Sequence, residues 1–128
     1  MVPDVICAGQ CVIDCITRGK ELQPYKKDVY RAENVILNLG GDASNQARAL
    51  AAMGFNVSII CGLGRDLAGD VLISALAQHK VDTSRVTRTE CSTPIANIMV
   101  ATDGSRMSIN SGATRLPGYV IRPESACG

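Results

Sequence analysis

The chain has 128 residues, 46% hydrophobic and 20% charged, with 13 Lys and Arg against 12 Asp and Glu. That composition specifies one globular domain and excludes a disordered or fibrous chain. A net charge of +1, three Tyr, one Phe and no Trp leave neither the basic footprint nor the stacking platforms of a nucleic-acid binder.

In chain order, Val5 to Ile13 is a β-branched apolar run. It reads as one buried strand with Asp14 at its carboxyl end. Cys7, Cys11 and Cys15 follow at steps of four, which would put them on one face of that strand, too far apart for a disulfide or a tetrahedral metal. No CxxC occurs, and the single His, His79, falls near the end of a helical pattern, so the cysteines are expected to be reduced and His79 to be exposed. Thr17 to Lys27 is polar, with Gly19, Pro24 and four basic residues, before Val35 to Leu39 resumes strand character; this stretch reads as an exposed hairpin or flap. Gly40-Gly41 breaks the strand, and Ser44 to Met53 carries Ala47, Leu50 and Ala51 at helical spacing, with Ser44 or Asp42 as the cap and Gly54 as the stop.

Val57 to Cys61 reads as a second buried strand, Gly62 and Gly64 as a loop, and Leu67, Val71, Leu72, Ala75 and Leu76 as the apolar face of a second helix. Strand–helix alternation specifies an α/β architecture with parallel neighbours. Ile95 to Thr102 and Ser105 to Asn110 flank Asp103-Gly104, the strongest hairpin signal in the chain. Ser111 to Gly128 has no sustained period and reads as a loop and open end. Apolar runs are interrupted well short of the ~20 residues of a membrane helix. The start, Met1-Val2-Pro3-Asp4, has no basic and apolar leader, so the expected compartment is the cytoplasm, without a membrane partner.

The segment richest in chemistry is Asn38-Leu39-Gly40-Gly41-Asp42-Ala43-Ser44-Asn45-Gln46-Ala47, running on to Met53-Gly54. Paired glycines let a ligand approach the backbone, and a helix starting beyond them presents unpaired N–H groups beside an Asn that can donate and accept. Alone, the segment is equally a tight strand-to-helix turn. Together with Asp14 and Gly62-Leu63-Gly64-Arg65-Asp66-Leu67-Ala68-Gly69, it resembles the ribokinase-like, or PfkB, family of carbohydrate kinases. Members open with a strand ending in Asp, pass through a flap, reach Gly-Gly-x-x-x-Asn-x-Ala, and then show Gly-x-Gly-x-Asp-x-x-Gly. The resemblance covers about Val5 to Thr114, and the Val81-Asp82 after the second helix also fits it.

The resemblance implies a ribokinase-like Rossmann-type α/β sheet with helices on both faces and a small β-sheet lid. Residues 1–128 would be the N-terminal portion of the kinase domain, with lid segments at about 15–39 and 95–110. It implies a sugar site in which Asp14 accepts from substrate hydroxyls, Gly40 and Gly41 give backbone access and Asn45 binds another hydroxyl. ATP and Mg²⁺ are implied for the complete enzyme, and a homodimer through the lid is expected. Asp42 stands where many ribokinases and fructokinases carry Lys or Ala, which leaves the sugar open. The family's second signature, Asp-Thr-x-Gly-Ala-Gly-Asp, supplies the catalytic base and anion hole. Its nearest fragments here are Asp103-Gly104-Ser105 and Ser111-Gly112-Ala113. No catalytic residue is therefore assigned in this chain, and alone it is expected to be inactive. A noncatalytic sugar-binding or regulatory fragment is one alternative. A dinucleotide-binding unit, with Gly62-x-Gly64 on pyrophosphate and Asp82 on a ribose, is another, weakened by Leu67 at the sixth position of its fingerprint.

Overall fold

The first strand, β1 (Val5–Ala8), is four residues long. The computed structural model, which describes residues 2–20, 22, 26 and 28–111, turns the chain out of that strand at Gly9, where an added Cβ would meet Asp42 Oδ1 at 2.8 Å. It resumes as β2 (Val12–Gly19) in a different sheet. The apolar run from Val5 to Ile13 is thus two strands, and Asp14 is the third residue of the second rather than the carboxyl end of the first. Hydrophobic periodicity could not mark this break, because both halves of the run are apolar and the turn depends on Asp42, far along the chain.

The remaining elements are β3 (Asn34–Gly40), α1 (Asp42–Ala52), β4 (Val57–Ile60), β5 (Gly62–Gly64), α2 (Leu67–Gln78), β6 (Val81–Asp82), β7 (Thr87–Thr89), β8 (Ile95–Ala101) and β9 (Arg106–Asn110). A parallel sheet has the order β1-β4-β6, with Val5 opposite Val57 and Val57 opposite Val81. A mixed sheet has the order β3-β2-β8-β9, in which β2 runs antiparallel to β3 and parallel to β8. The expected hairpin at Asp103-Gly104 is β8 and β9; the stretch Thr17 to Lys27, expected as a hairpin or flap, begins in β2, which pairs with β3, and its residues 21, 23–25 and 27 lie outside the described residues. Gly62 to Gly64, expected as a loop, is a short strand parallel to β7.

Why these segments settle here follows from the core. β4 is buried at every position, as a parallel strand covered on both faces must be. Ile59, Leu63, Leu72, Leu76 and Val81 form the centre with Cys7 and Val57. Each fully buried Leu or Ile contributes about 1.5–3 kcal/mol relative to exposure. On α1 the buried positions are Ala43, Ser44 and Ala47, small side chains that let the helix backbone lie close to β1 and β4. Its N-cap is Gly41, without a side-chain cap bond. Neither Ser44 nor Asp42 caps the helix; Asp42 Oδ1 instead accepts from Ala43 N and from Gln10 N, both at 2.8 Å, tying the β1–β2 link to the helix start. On α2, Leu72 and Leu76 are buried as expected, but Leu67 is 80% exposed and Val71 46%, so the buried stripe is narrower than the apolar spacing suggests.

The cysteines do not share one strand face either. Cys7 lies in β1, Cys11 in the link and Cys15 in β2. The Cys11 thiol is hydrogen-bonded to that of Cys61 in a buried site, which, with desolvation, holds Cys11 protonated. All five described cysteines are free thiols, and His79 is exposed at the end of α2. The loop expected from Ser111 to Gly128 lies outside the described residues except for Ser111. No helix among the described residues is long and apolar enough to cross a membrane.

Candidate functional site

β2 and β3 bring Asp14 over Gly40. A Cβ added at Gly40 would stand 2.6 Å from Asp14 Cγ and 2.7 Å from Oδ1, so the absence of a side chain at Gly40 is what makes room for the carboxylate. Gly41 has φ +93° and ψ 144°, and a Cβ there would meet Gln10 O and lie 2.9 Å from Cys11 Cα. Only glycine satisfies both the backbone angle and the close approach. Asp14 and Gly41 line one open cavity of about 250 Å³, together with Gln10, Ala96 and Asn110 among others.

Asn45 sits one turn into α1, its N–H bonded to Gly41 O at 3.0 Å. It is exposed and is not among the residues lining that cavity. Arg48 Nη2 donates to Asn45 Oδ1 at 2.7 Å and to Leu39 O at 3.1 Å. A guanidinium has donors only, so the atom facing it must be the amide oxygen, and Asn45 offers a ligand its Nδ2. Of the four residues singled out in the sequence, Asp14 and Gly41 therefore share a cavity, Gly40 lies under Asp14, and Asn45 lies to one side, fixed by Arg48.

The second glycine motif forms a joint. Asp66 caps α2 through Gly69 N at 2.9 Å and also accepts from Thr93 Oγ1 at 2.6 Å and Thr93 N at 2.8 Å. These bonds, the Thr93 hydroxyl foremost, hold its carboxyl below the usual carboxylate range. Gly64 N donates to Thr93 Oγ1 at 2.8 Å, and Arg88 grips Gly64 O through Nε at 3.0 Å and Nη2 at 2.6 Å. The backbone that would cradle a pyrophosphate is thus engaged with Thr93 and β7, and Asp82 accepts from Ser84. Both observations tell against the dinucleotide alternative. Thr93, Arg88 and Arg48 were not legible as site-building residues; only Arg48, three residues past Asn45 on a helix, had a spacing that could have revealed it.

A sequence model of the pfkB family of carbohydrate kinases matches residues 2–116. The chain belongs to the PfkB family. The ribokinase of Lactococcus lactis subsp. lactis is 30% identical over 115 residues, which are 88% of this chain and 38% of that protein. The structure of Arabidopsis thaliana ribokinase complexed with ribose and ATP superposes with a TM-score of 0.79 at 24% identity, over 88% of this chain and 37% of that one. Fructokinase from Xylella fastidiosa gives 0.67 at 27% identity, over 83% of this chain and 31% of that one. This PfkB chain therefore spans well under half the length of such relatives. Its mixed α/β architecture is that of ribokinase-like structures.

Proposed function

We propose that this chain is the sugar-holding part of an ATP-dependent carbohydrate kinase, the reaction being phosphoryl transfer to a sugar or sugar-acid hydroxyl. The observation that carries the proposal is the Asp14 carboxylate seated over Gly40 at the edge of the Gly41 cavity. A carboxylate with about four lone-pair sites suits vicinal hydroxyls, and the Gly41 turn admits a ligand to the backbone. Asn45 adds a donor through Nδ2. The β3-β2-β8-β9 sheet serves in this reading as the lid, and its face opposite Asp14 carries Val35, Leu37, Met107 and Ile109, all exposed; that apolar face is where a second copy docks.

In phosphoryl transfer the protein contributes positioning and charge stabilisation. This chain's share is positioning: Asp14 holds the sugar in the cavity, and Asn45, at its side, offers Nδ2 to whatever part of the ligand extends beyond it, so that one hydroxyl points at the phosphoryl donor. ATP is the donor that the family reading implies, in keeping with relatives solved with ATP or ADP. Mg²⁺ and the triphosphate are assigned to no residue of this chain.

Isothermal titration of monosaccharides into the chain tests the reading. Asp14→Ala removes a charge-assisted hydrogen bond worth about 1.5–3 kcal/mol and is expected to weaken binding at least tenfold. Equal affinity in Asp14→Ala and the parent rejects the site.

A further inference from the structure

The strand register adds a residue to the site that no motif marks. Asp14 on β2 is opposite Asn38 on β3 and Ala96 on β8, and Ala96 is opposite Asn110 on β9. Opposed residues share a face of the sheet, so these four side chains stand in one row. Strands lie ~4.8 Å apart, which puts Asp14 and Asn110 about 10 Å from each other with only the Ala96 methyl group between them. Both line the cavity of about 250 Å³, below the ~300–1,000 Å³ of sites for drug-sized ligands.

The polar groups around that cavity are not equivalent. Ser111 Oγ is occupied by Ile95, accepting from its N–H at 2.7 Å and donating to its carbonyl at 3.2 Å. Asn110 Oδ1 accepts from Ser108 Oγ at 2.6 Å, which leaves Nδ2 as its donor. We propose that Asn110 is a specificity-determining residue whose Nδ2 donates to a sugar oxygen at the end of the ligand opposite the hydroxyl held by Asp14. The proposal rests on the sugar-site reading above and extends it.

A hydrogen bond of ~2.9 Å at each end of the row leaves about 4 Å between the two ligand oxygens. That is wider than neighbouring hydroxyls and matches oxygens across one sugar ring or three carbons apart on an open chain. The polarity of the two ends differs. Asp14 requires a group that donates; Asn110 requires one that accepts, which a hydroxyl, carbonyl or carboxylate satisfies and an ammonium does not. Ala96 is the floor of the row, and a larger side chain there would fill the gap.

The test is a titration of D-ribose, D-fructose and D-glucose, then of the monodeoxy analogues of the tightest binder, into the parent chain, Asp14→Ala, Asn110→Ala and Asn110→Asp. Asn110→Ala is expected to weaken the parent sugar about 3- to 10-fold with the melting temperature unchanged, because Asn110 is exposed. Asn110→Asp, which cannot donate, is expected to bind no better than Asn110→Ala. One monodeoxy analogue should lose the same factor against the parent chain and nothing further against Asn110→Ala, a coupling that a merely structural role would not produce. If Asp14→Ala weakens binding while Asn110→Ala does not, or if every deoxy analogue loses equally in both backgrounds, the role of Asn110 is overturned and the sugar site stands. If no sugar binds the parent, or neither variant changes affinity, the site reading falls and the role of Asn110 with it.

Discussion

Two adjacent glycines in this chain serve unlike purposes, and substitution separates them. At Gly40 an added methyl group meets the carboxylate of Asp14, the movable end of a side chain. At Gly41 it meets the backbone of Gln10 and Cys11, at a φ of +93°. Gly40→Ala is therefore expected to keep the melting temperature within a few degrees while abolishing measurable sugar affinity by displacing Asp14. Gly41→Ala is expected to destabilise the fold by more than ~1 kcal/mol. A thermal melt beside a sugar titration checks both; a Gly40→Ala protein that binds sugar as the parent does would show that Asp14 needs no such room. Asp66 carries a pH dependence. Its carboxyl, depressed chiefly by the Thr93 hydroxyl and then by Thr93 N, contributes stability that is present above the unfolded value of about 3.9 and lost as pH falls through the lower folded value. Asp66→Asn is expected to cost about 1.5–3 kcal/mol at pH 7, a difference that shrinks below about pH 4. Urea unfolding at pH 7 and pH 3 measures it, and an equal deficit at both would contradict the assignment.

At the scale of elements, what could be read in the sequence were those whose signal is local. Asp103-Gly104 between Ile95–Thr102 and Ser105–Asn110 specifies the β8–β9 hairpin, and the helical spacing of Leu67, Val71, Leu72, Ala75 and Leu76 specifies α2. What could not be read depends on distant partners: the break after β1 needs Asp42, and the pairing of β5 needs β7. The proposed site was legible in part for the same reason. Gly40, Gly41 and Asn45 are contiguous in a motif, whereas Asn110 reaches Asp14 only through the register of three strands. Edge strands β3 and β9 are exposed along almost their whole length, as the proposed docking of a second copy on the apolar face would require of the free chain. Leu37→Glu is expected to turn a dimer into a monomer in sedimentation and to speed amide exchange across β3 while leaving β1 and β4 protected. A parent chain that is already monomeric, with β3 as protected as β4, would contradict docking through this face.

For the whole molecule, the proposed sugar site is one hollow among several. A second cavity, of about 460 Å³, lies at the opposite end of the parallel sheet beside Asn56, Lys80, Asp82 and Arg85. It is larger than the Asp14 cavity, yet it owes its polarity to surface charges, and Asp82 there is already bonded to Ser84; a third cavity, of about 710 Å³, is bigger still but is lined mainly by apolar groups such as Ile13, Leu37, Leu67 and Val71. The cavity of Asp14 and Gly41 has the smaller volume and the acceptor seated by design of the glycine pair. Mapping amide chemical-shift changes during a sugar titration of the ¹⁵N-labelled chain decides between them. Binding at Asp14 is expected to move the resonances of Asp14, Gly40, Gly41 and Ala96 together along one saturation curve, with Lys80 to Arg85 unmoved; saturable shifts confined to Asn56 and Lys80 to Arg85 would contradict it.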